Sequence, residues 1–406
     1  MLILTKSQKT LIAGTCINLS IGVIYAWSVI KKSMVNQWGW SNTEANFPYT
    51  TGIIVWAIAL LVAGILQDRF GPKRIIQSGV VLVGIGLIAS KFAASPLAMT
   101  VSFGIIVATG IGFTYACITP CCMKWFHSSK KGMVSGVTVG GFGLAAVYLA
   151  PLTGKLISIF GISETFFIIG SGVLLFALPL TFLMENPPKE FSAPFPSANK
   201  NTKICVTRGP DFKWNQIIKS KDFYFLWTMF ALSSSAGVMM IGHLASIASL
   251  QAGLQNVTLI VSLLALSNAL GRVGGGIISD KLGRENTMLL VFSLQLLNML
   301  AFSQYTNLSL IALGTVVAGL SYGSLMSVFP SATADRWGLL NYGTNYGVLY
   351  LAWGVSGVVG PLIAAWVVDN TGTYDLAYII SAALLGIAII LGLMIKSNKS
   401  SLMLPN

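Results

Sequence analysis

Charge is what this chain has least of. Only 9% of its 406 residues are Asp, Glu, Lys or Arg, against about 25% in a soluble domain, so it cannot assemble a water-facing surface. Carboxylates are scarcer still, with 12 against 25 Lys and Arg. There are two histidines, His127 and His243, and five cysteines, Cys16, Cys117, Cys121, Cys122 and Cys205. No Cys/His spacing matches a zinc site, and no cysteine falls where an extracellular disulfide is expected. The adjacent Cys121 and Cys122 read as small packing residues. No nucleophile–base set lies at depth in an apolar segment, so neither an enzyme nor a bound cofactor or metal is expected. The alternating segments of about 10 residues that build a membrane β-barrel are also missing.

What the chain does have is apolar length: 54% of residues are hydrophobic and the mean hydropathy is +0.77. Runs of about 20 such residues recur along it, enough for a helix to cross a bilayer. The first, from about Leu11 to Ile30, is too long for a signal-peptide core and is followed by no small-residue cleavage site. The pattern predicts an all-α polytopic membrane protein with twelve transmembrane helices. They are expected at about 10–30, 46–67, 75–91, 97–122, 132–154, 164–184, 223–249, 256–279, 286–304, 308–330, 342–368 and 374–395. Between the sixth and seventh lies the one long polar segment, 185–222, with Pro187, Pro188, Pro194, Pro196 and Asn199–Asn201. It reads as a linker between a bundle over 1–184 and another over 223–406.

The net charge of +13 would suit a nucleic-acid partner, but its placement argues otherwise. Twenty of the 25 Lys and Arg fall on the face that carries the termini and the linker, including Lys73, Arg74, Lys124, Lys131, Arg284 and Arg336. Lys31, Lys32, Lys91 and Lys155 fall on the other. Positive charge marks the cytoplasmic side, so both termini are expected there. The basic excess signals topology and attraction to a lipid surface, not nucleic acid. The sequons at Asn256 and Asn307 carry no weight in such short loops.

The 25th cation is Arg272, alone inside a span. It lies eight residues before Asp280, about 12 Å along a helix, which is near the midplane of a bilayer core about 30 Å thick. An arginine at that depth costs about 2.5–3.5 kcal/mol unless it faces a partner or a wet cavity. All 12 carboxylates fall in loops or at helix ends, so the missing anion is expected from substrate, whose carboxylate the guanidinium fork fits. The plain alternative is a structural arginine bonded to backbone carbonyls. Asn268, one turn earlier, shares its face. Tyr25, Trp27, Tyr115, Tyr350 and Trp353 are candidate cavity aromatics. His243, the one histidine within a span, is the candidate proton acceptor, with a neutral helix-bonding histidine as the alternative.

The chain repeats itself. Gly64-Ile65-Leu66-Gln67-Asp68-Arg69-Phe70-Gly71 returns as Gly276-Ile277-Ile278-Ser279-Asp280-Lys281-Leu282-Gly283, 212 residues later. Gly136 and Gly143 match Gly347 and Gly354 at 211, and Pro120 matches Pro330 at 210. Two parallel six-helix halves are expected.

Gly64-x-Leu66-x-Asp68-Arg69-x-Gly71-x-Lys73-Arg74, with its copy, resembles the loop signature of the major facilitator superfamily. The resemblance implies substrate bound between two bundles that rock to give alternating access. Asp68, Arg69, Asp280 and Lys281 would then act as cytoplasmic gate residues. A narrower resemblance is to the oxalate/formate antiporter branch and bacterial pyruvate and lactate carriers. It rests on Gly22-Val23-Ile24-Tyr25-Ala26-Trp27-Ser28, Lys124-Trp125-Phe126, Lys131-Gly132, Ser267-Asn268-x-x-Gly271-Arg272, Phe329-Pro330-Ser331 and Asn345-Tyr346-Gly347-Val348-Leu349-Tyr350. In oxalate exchangers, the resemblance implies, the arginine works with a lysine that falls here at Trp353. With one cation, a monocarboxylate such as pyruvate or lactate fits better than a dicarboxylate. The expected function is secondary transport of such an anion, with a proton or by exchange, by a monomer in a bacterial inner membrane or a plasma membrane. Oxalate/formate exchange is the alternative, and a nutrient sensor with a carrier fold is the alternative of another class.

Overall fold

The computed structural model of the protein describes residues 5–188, 191, 211–254 and 257–401. Most of the 185–222 linker, with Pro194, Pro196 and Asn199–Asn201, lies outside the described residues, as do Cys205 and Asn256. Among the described residues every regular element is a helix. In order they are α1 (Lys6–Ile21), α2 (Trp27–Trp38), α3 (Asn42–Phe70), α4 (Pro72–Ser90), α5 (Pro96–Met99), α6 (Ala108–Met123) and α7 (Lys131–Leu180). After the linker come α8 (Trp214–Ile217), α9 (Lys221–Ala252), α10 (Thr258–Leu282), α11 (Arg284–Phe302), α12 (Leu308–Trp337), α13 (Tyr342–Thr371) and α14 (Asp375–Ser401).

Eleven helical stretches among the described residues are long and apolar enough to cross a membrane. One of them, Ser128–Leu183, has 56 residues, which as a straight helix would run about 84 Å. Gly161 interrupts it with φ 81° and ψ 171°, a conformation open only to glycine. Both ends of the stretch lie at the end of the molecule where the linker attaches. There Lys131 pairs with Asp335, and the Leu183 carbonyl accepts from Thr10. The loop expected at about 155–163 is thus almost wholly helical.

The first span is also longer than expected, reaching Trp38. A 3-10 turn over Gly22–Ala26 joins α1 to α2, and the Trp27 indole donates to the Ala45 carbonyl at 3.1 Å. Local caps fix other starts: Ser41 and Glu44 exchange hydrogen bonds of 3.2 and 2.8 Å ahead of α3.

Ion pairs concentrate at the linker end. Lys73–Glu185, Lys131–Asp335, Arg284–Asp280, Arg284–Asp335, Arg336–Glu285 and Arg336–Asp222 lie there, and Lys91–Glu164 lies at the opposite end. Lys73, 2.8 Å from Glu185, holds that exposed carboxyl below the ordinary carboxylate range.

The sequence repeat has a backbone counterpart. Gly71 (φ 81°, ψ 162°) ends α3, and Gly283 (φ 85°, ψ 158°) ends α10 in nearly the same conformation. A side chain at either position is strained by about 1–3 kcal/mol. Gly71→Ala and Gly283→Ala are therefore expected each to lower stability by that amount in denaturant titrations of the detergent-solubilised protein. Gly172→Ala, a helical position where an added Cβ meets nothing within 4 Å, serves as the comparison. It should be neutral or stabilising by up to about 1 kcal/mol.

Candidate functional site

Arg272 lies in the middle of α10 and is 2% exposed. Glycines on α7 let the two helices meet. A Cβ at position 136 would collide with the Arg272 carbonyl oxygen, and one at 143 would stand 3.1 Å from Arg272 Nε. Nε donates to Asn268 Oδ1 at 3.1 Å, Nη1 to the Val139 carbonyl at 2.9 Å and Nη2 to the Tyr25 hydroxyl at 3.1 Å. The guanidinium has five N–H groups, three of them used in these bonds, and the Tyr115 hydroxyl is a further neighbour within reach of it. Val139 and Tyr25 precede the linker in sequence, whereas Arg272 and Asn268 follow it. The cation therefore bridges helices from the two halves of the chain. Among the described residues no carboxylate pairs with it, and each carboxylate lies at a helix end, in a turn or, for Glu164, just past the Gly161 break. The backbone-bonded alternative is realised in part through Val139 alone.

Aromatic rings enclose one side of this cation. Trp56 stands at the centre, with ring centroids 4.9 Å from Trp353, 5.3 Å from Phe142 and 5.6 Å from Tyr115. Tyr350 stacks on Trp353 at 5.1 Å and 29°, and Tyr25 meets Phe142 at 5.4 Å. The Tyr115 hydroxyl lies beside both Arg272 and Tyr350. The structure thus brings together Arg272, Asn268, Tyr25, Tyr115, Tyr350 and Trp353. Trp27 instead packs against Phe103 at 4.3 Å.

Two details differ from what the residue types imply. The Trp353 indole N–H is committed to the Tyr322 hydroxyl at 2.7 Å, so this tryptophan offers a ring and not a donor. The Trp56 Nε1 is buried and has no hydrogen-bond partner. Trp56, Phe142, Tyr322 and the Val139 carbonyl are absent from the sequence-based set. An aromatic residue inside an apolar run carries no sign of which neighbour it will face, and a backbone carbonyl carries no sequence signal at all.

His243 is not in this cluster. Phe230 on the same helix meets Tyr350 at 6.0 Å, and His243 is 13 residues further along, about 20 Å. Its Nε2 lies 3.1 Å from the Pro361 carbonyl, which can only accept, so Nε2 carries the proton. Nδ1 then accepts from the Tyr374 hydroxyl at 3.1 Å. A neutral imidazole satisfies both bonds.

At the linker end the two repeats meet the opposite half of the chain through their aspartates. Asp280 accepts from the backbone N–H groups of Gly132 (2.8 Å) and Met133 (2.7 Å), at the start of α7. Asp68 accepts from the Thr344 backbone N–H (2.9 Å) and hydroxyl (2.8 Å), at the start of α13. A carboxylate at a helix N-terminus satisfies free donors and complements the helix dipole. Arg69 and Lys281 are exposed. The cation that engages here is Arg284, which donates to Asp280 at 2.7 Å and Asp335 at 2.8 Å.

A membrane-embedded helical bundle in which one buried cation joins helices from both halves of the chain defines a multi-pass membrane transport protein. The chain belongs to the Major Facilitator Superfamily, whose family model matches residues 10–304. It is 28% identical to the uncharacterized MFS-type transporter YhjX of Escherichia coli, over 86% of this chain and 85% of that one. It is 24% identical to the oxalate:formate antiporter of Oxalobacter formigenes (89% and 84%). It is 23% identical to monocarboxylate transporter 12 of Xenopus laevis (82% and 76%). The fold matches that of the human organic anion transporter MFSD10 with a TM-score of 0.75 at 13% identity, covering 96% of this chain and all of that one. Family and fold are those of transporters, not enzymes.

The gate geometry yields a stability prediction. Asp280→Ala leaves Arg284, whose side chain is 9% exposed, with Asp335 as its one carboxylate among the described residues. It also removes the acceptor of the Gly132 and Met133 N–H groups, so losing these charge-assisted bonds should cost about 3 kcal/mol. Asp68→Ala strands no cation and should cost about 1–2 kcal/mol in lost hydrogen bonds. Denaturation in detergent should rank Asp280→Ala below Asp68→Ala, and adding Arg284→Met should restore part of the Asp280→Ala loss.

Proposed function

We propose that the protein is a secondary transporter of small monocarboxylates of the pyruvate and lactate type. It works by alternating access between a bundle over 1–184 and another over 223–406, joined by the linker over 185–222. Counting the two arms of α7 on either side of Gly161 separately gives twelve spans in this reading. The Lys and Arg bias supports a cytoplasmic position for the linker end and both termini. One observation carries the assignment: a buried guanidinium with no carboxylate partner among the described residues, held at the junction of the two halves. Substrate carboxylate takes the two Nη N–H groups not used by Val139 and Tyr25 as a bidentate pair, displacing the Tyr115 hydroxyl from the guanidinium, and the carbon body lies against Trp56, Tyr115, Tyr350 and Trp353. The similarity to an oxalate:formate antiporter and to monocarboxylate transporters supports a carboxylate. Trp353 favours one carboxylate over two, because an indole whose N–H is already bonded cannot compensate a second charge.

In this reading Asn268 and Tyr25 hold the guanidinium in place, and Asp68 and Asp280 close the cytoplasmic side. Transport proceeds with a proton or by counter-exchange. Uptake of labelled pyruvate and lactate by proteoliposomes tests the assignment. Arg272→Ala should lower uptake at least about 100-fold, the worth of a charge-assisted bidentate contact near 3 kcal/mol. Undiminished uptake by that variant would sink the role of Arg272. Oxalate competing better than lactate would turn the assignment to dicarboxylate exchange, and a rate insensitive to an imposed pH gradient would remove the proton.

A further inference from the structure

Two seams join the halves of the chain at the linker end, α3 against α13 and α7 against α10. They are related by the repeat but filled differently. In the α7–α10 seam Ser279 is fully engaged: its hydroxyl donates to the Gly276 carbonyl at 2.8 Å and accepts from Arg284 at 2.6 Å. Arg284 in turn is bonded to Asp280 and Asp335. Transposed by 212 residues, Ser279 corresponds to Gln67 and Arg284 to Pro72. Proline supplies no donor. Gln67 is 4% exposed, and neither its Nε2 nor its Oε1 has a partner. One turn nearer the aromatic cluster, the hydroxyl of Tyr346, also 4% exposed, is unpartnered as well.

These groups lie between the Arg272 cluster and the gate. The Tyr346 ring meets Tyr350 of the cluster at 5.5 Å on one side and Tyr342 at 5.5 Å on the other. Gln67 Nε2 lies against Gly343, where an added Cβ would stand 2.5 Å from it. The next residue in each helix, Asp68 and Thr344, makes the gate contact. Leaving a buried amide or hydroxyl unbonded is costly, and this seam holds two such residues in succession. Their N–H and O–H donors are what a carboxylate requires after leaving a guanidinium.

We propose that Gln67 and Tyr346 form a transit site for the substrate carboxylate, and that the α3–α13 seam parts when the linker end opens while the α7–α10 side, held across by Asp280 on the Gly132 and Met133 N–H groups and by Lys131 on Asp335, acts as its hinge. The unpartnered Ser135 hydroxyl, the repeat mate of Tyr346, belongs to α7, on the side assigned to the hinge, and in this proposal takes no part in transit. The proposal rests on the carboxylate reading of Arg272 and adds a second station to it.

The test separates binding from movement. In Gln67→Leu and the near-isosteric Tyr346→Phe, pyruvate affinity measured by calorimetry should stay within about threefold of wild type, because Arg272 is untouched. Turnover in proteoliposomes should fall at least tenfold, and Ser135→Ala should leave it within twofold. Unchanged turnover in both seam variants overturns the transit site, as does a loss of affinity equal to the loss of turnover. A readout without substrate addresses the hinge. Hydrogen exchange of peptides covering 339–349 should run at least tenfold faster than that of peptides covering 128–138, and equal rates overturn the asymmetric opening. Failure of the wild-type protein to bind pyruvate, or binding that survives Arg272→Ala, counts against the carboxylate assignment and leaves the exchange comparison to judge the seam.

Discussion

A guanidinium kept from water at the junction of the two chain halves constrains what surrounds it. Arg272 needs acceptors at the depth where it sits, because a charge without them costs several kcal/mol. Asn268 supplies one from the preceding turn of its own helix. The Val139 carbonyl supplies another, reachable because α7 presents glycine at 136 and 143 and so comes within backbone contact of α10. Tyr25 supplies the third from the tight turn between α1 and α2, where the change of pitch re-aims the side chain. The glycines, the irregular turn and the aromatic cluster are parts of one arrangement around that cation.

Much of this was legible in the sequence, and the reasons differ by residue. Arg272 stood out because an apolar span with one charge is a conspicuous anomaly. Gly71 and Gly283 stood out because a turn that only glycine can make recurs with the same neighbours, and the structure gives both nearly the same φ and ψ. Trp56 and Phe142 were not legible. In a span where most residues are apolar, periodicity cannot separate the face toward lipid from the face toward a site. The sequence marks Arg284 only as one of the basic residues of the linker face, yet Asp280 one turn before it and Asp335, 51 residues on, hold it there in a network of ion pairs. The gate aspartates are recognisable from their motif, but three of the donors that reach them across the seams are backbone N–H groups, which every residue but proline has.

The repeat shows how a duplicated scaffold can be specialised. Backbone devices are retained in both copies: the glycine turn, the aspartate at a helix start, and glycine against glycine at positions 64 and 343 and at 276 and 132. Side chains diverge. Arginine at 284 corresponds to proline at 72, serine at 279 to glutamine at 67, and serine at 135 to tyrosine at 346. One seam thereby gains an ion-pair network, and the other keeps polar groups without partners. The topology is symmetric and the energetics are not.

The continuity of α7 through Gly161 has a bearing on how the molecule meets its surroundings. Between the arm that touches Arg272 and the arm that returns toward Leu183, the chain turns at a single residue instead of passing through an open loop. That corner offers a protease almost no extended backbone and an antibody little more than helix ends. A reagent or tag aimed at the side away from the linker will find more purchase at Phe92–Ser95 or Gln304–Asn307, where short non-helical connections remain.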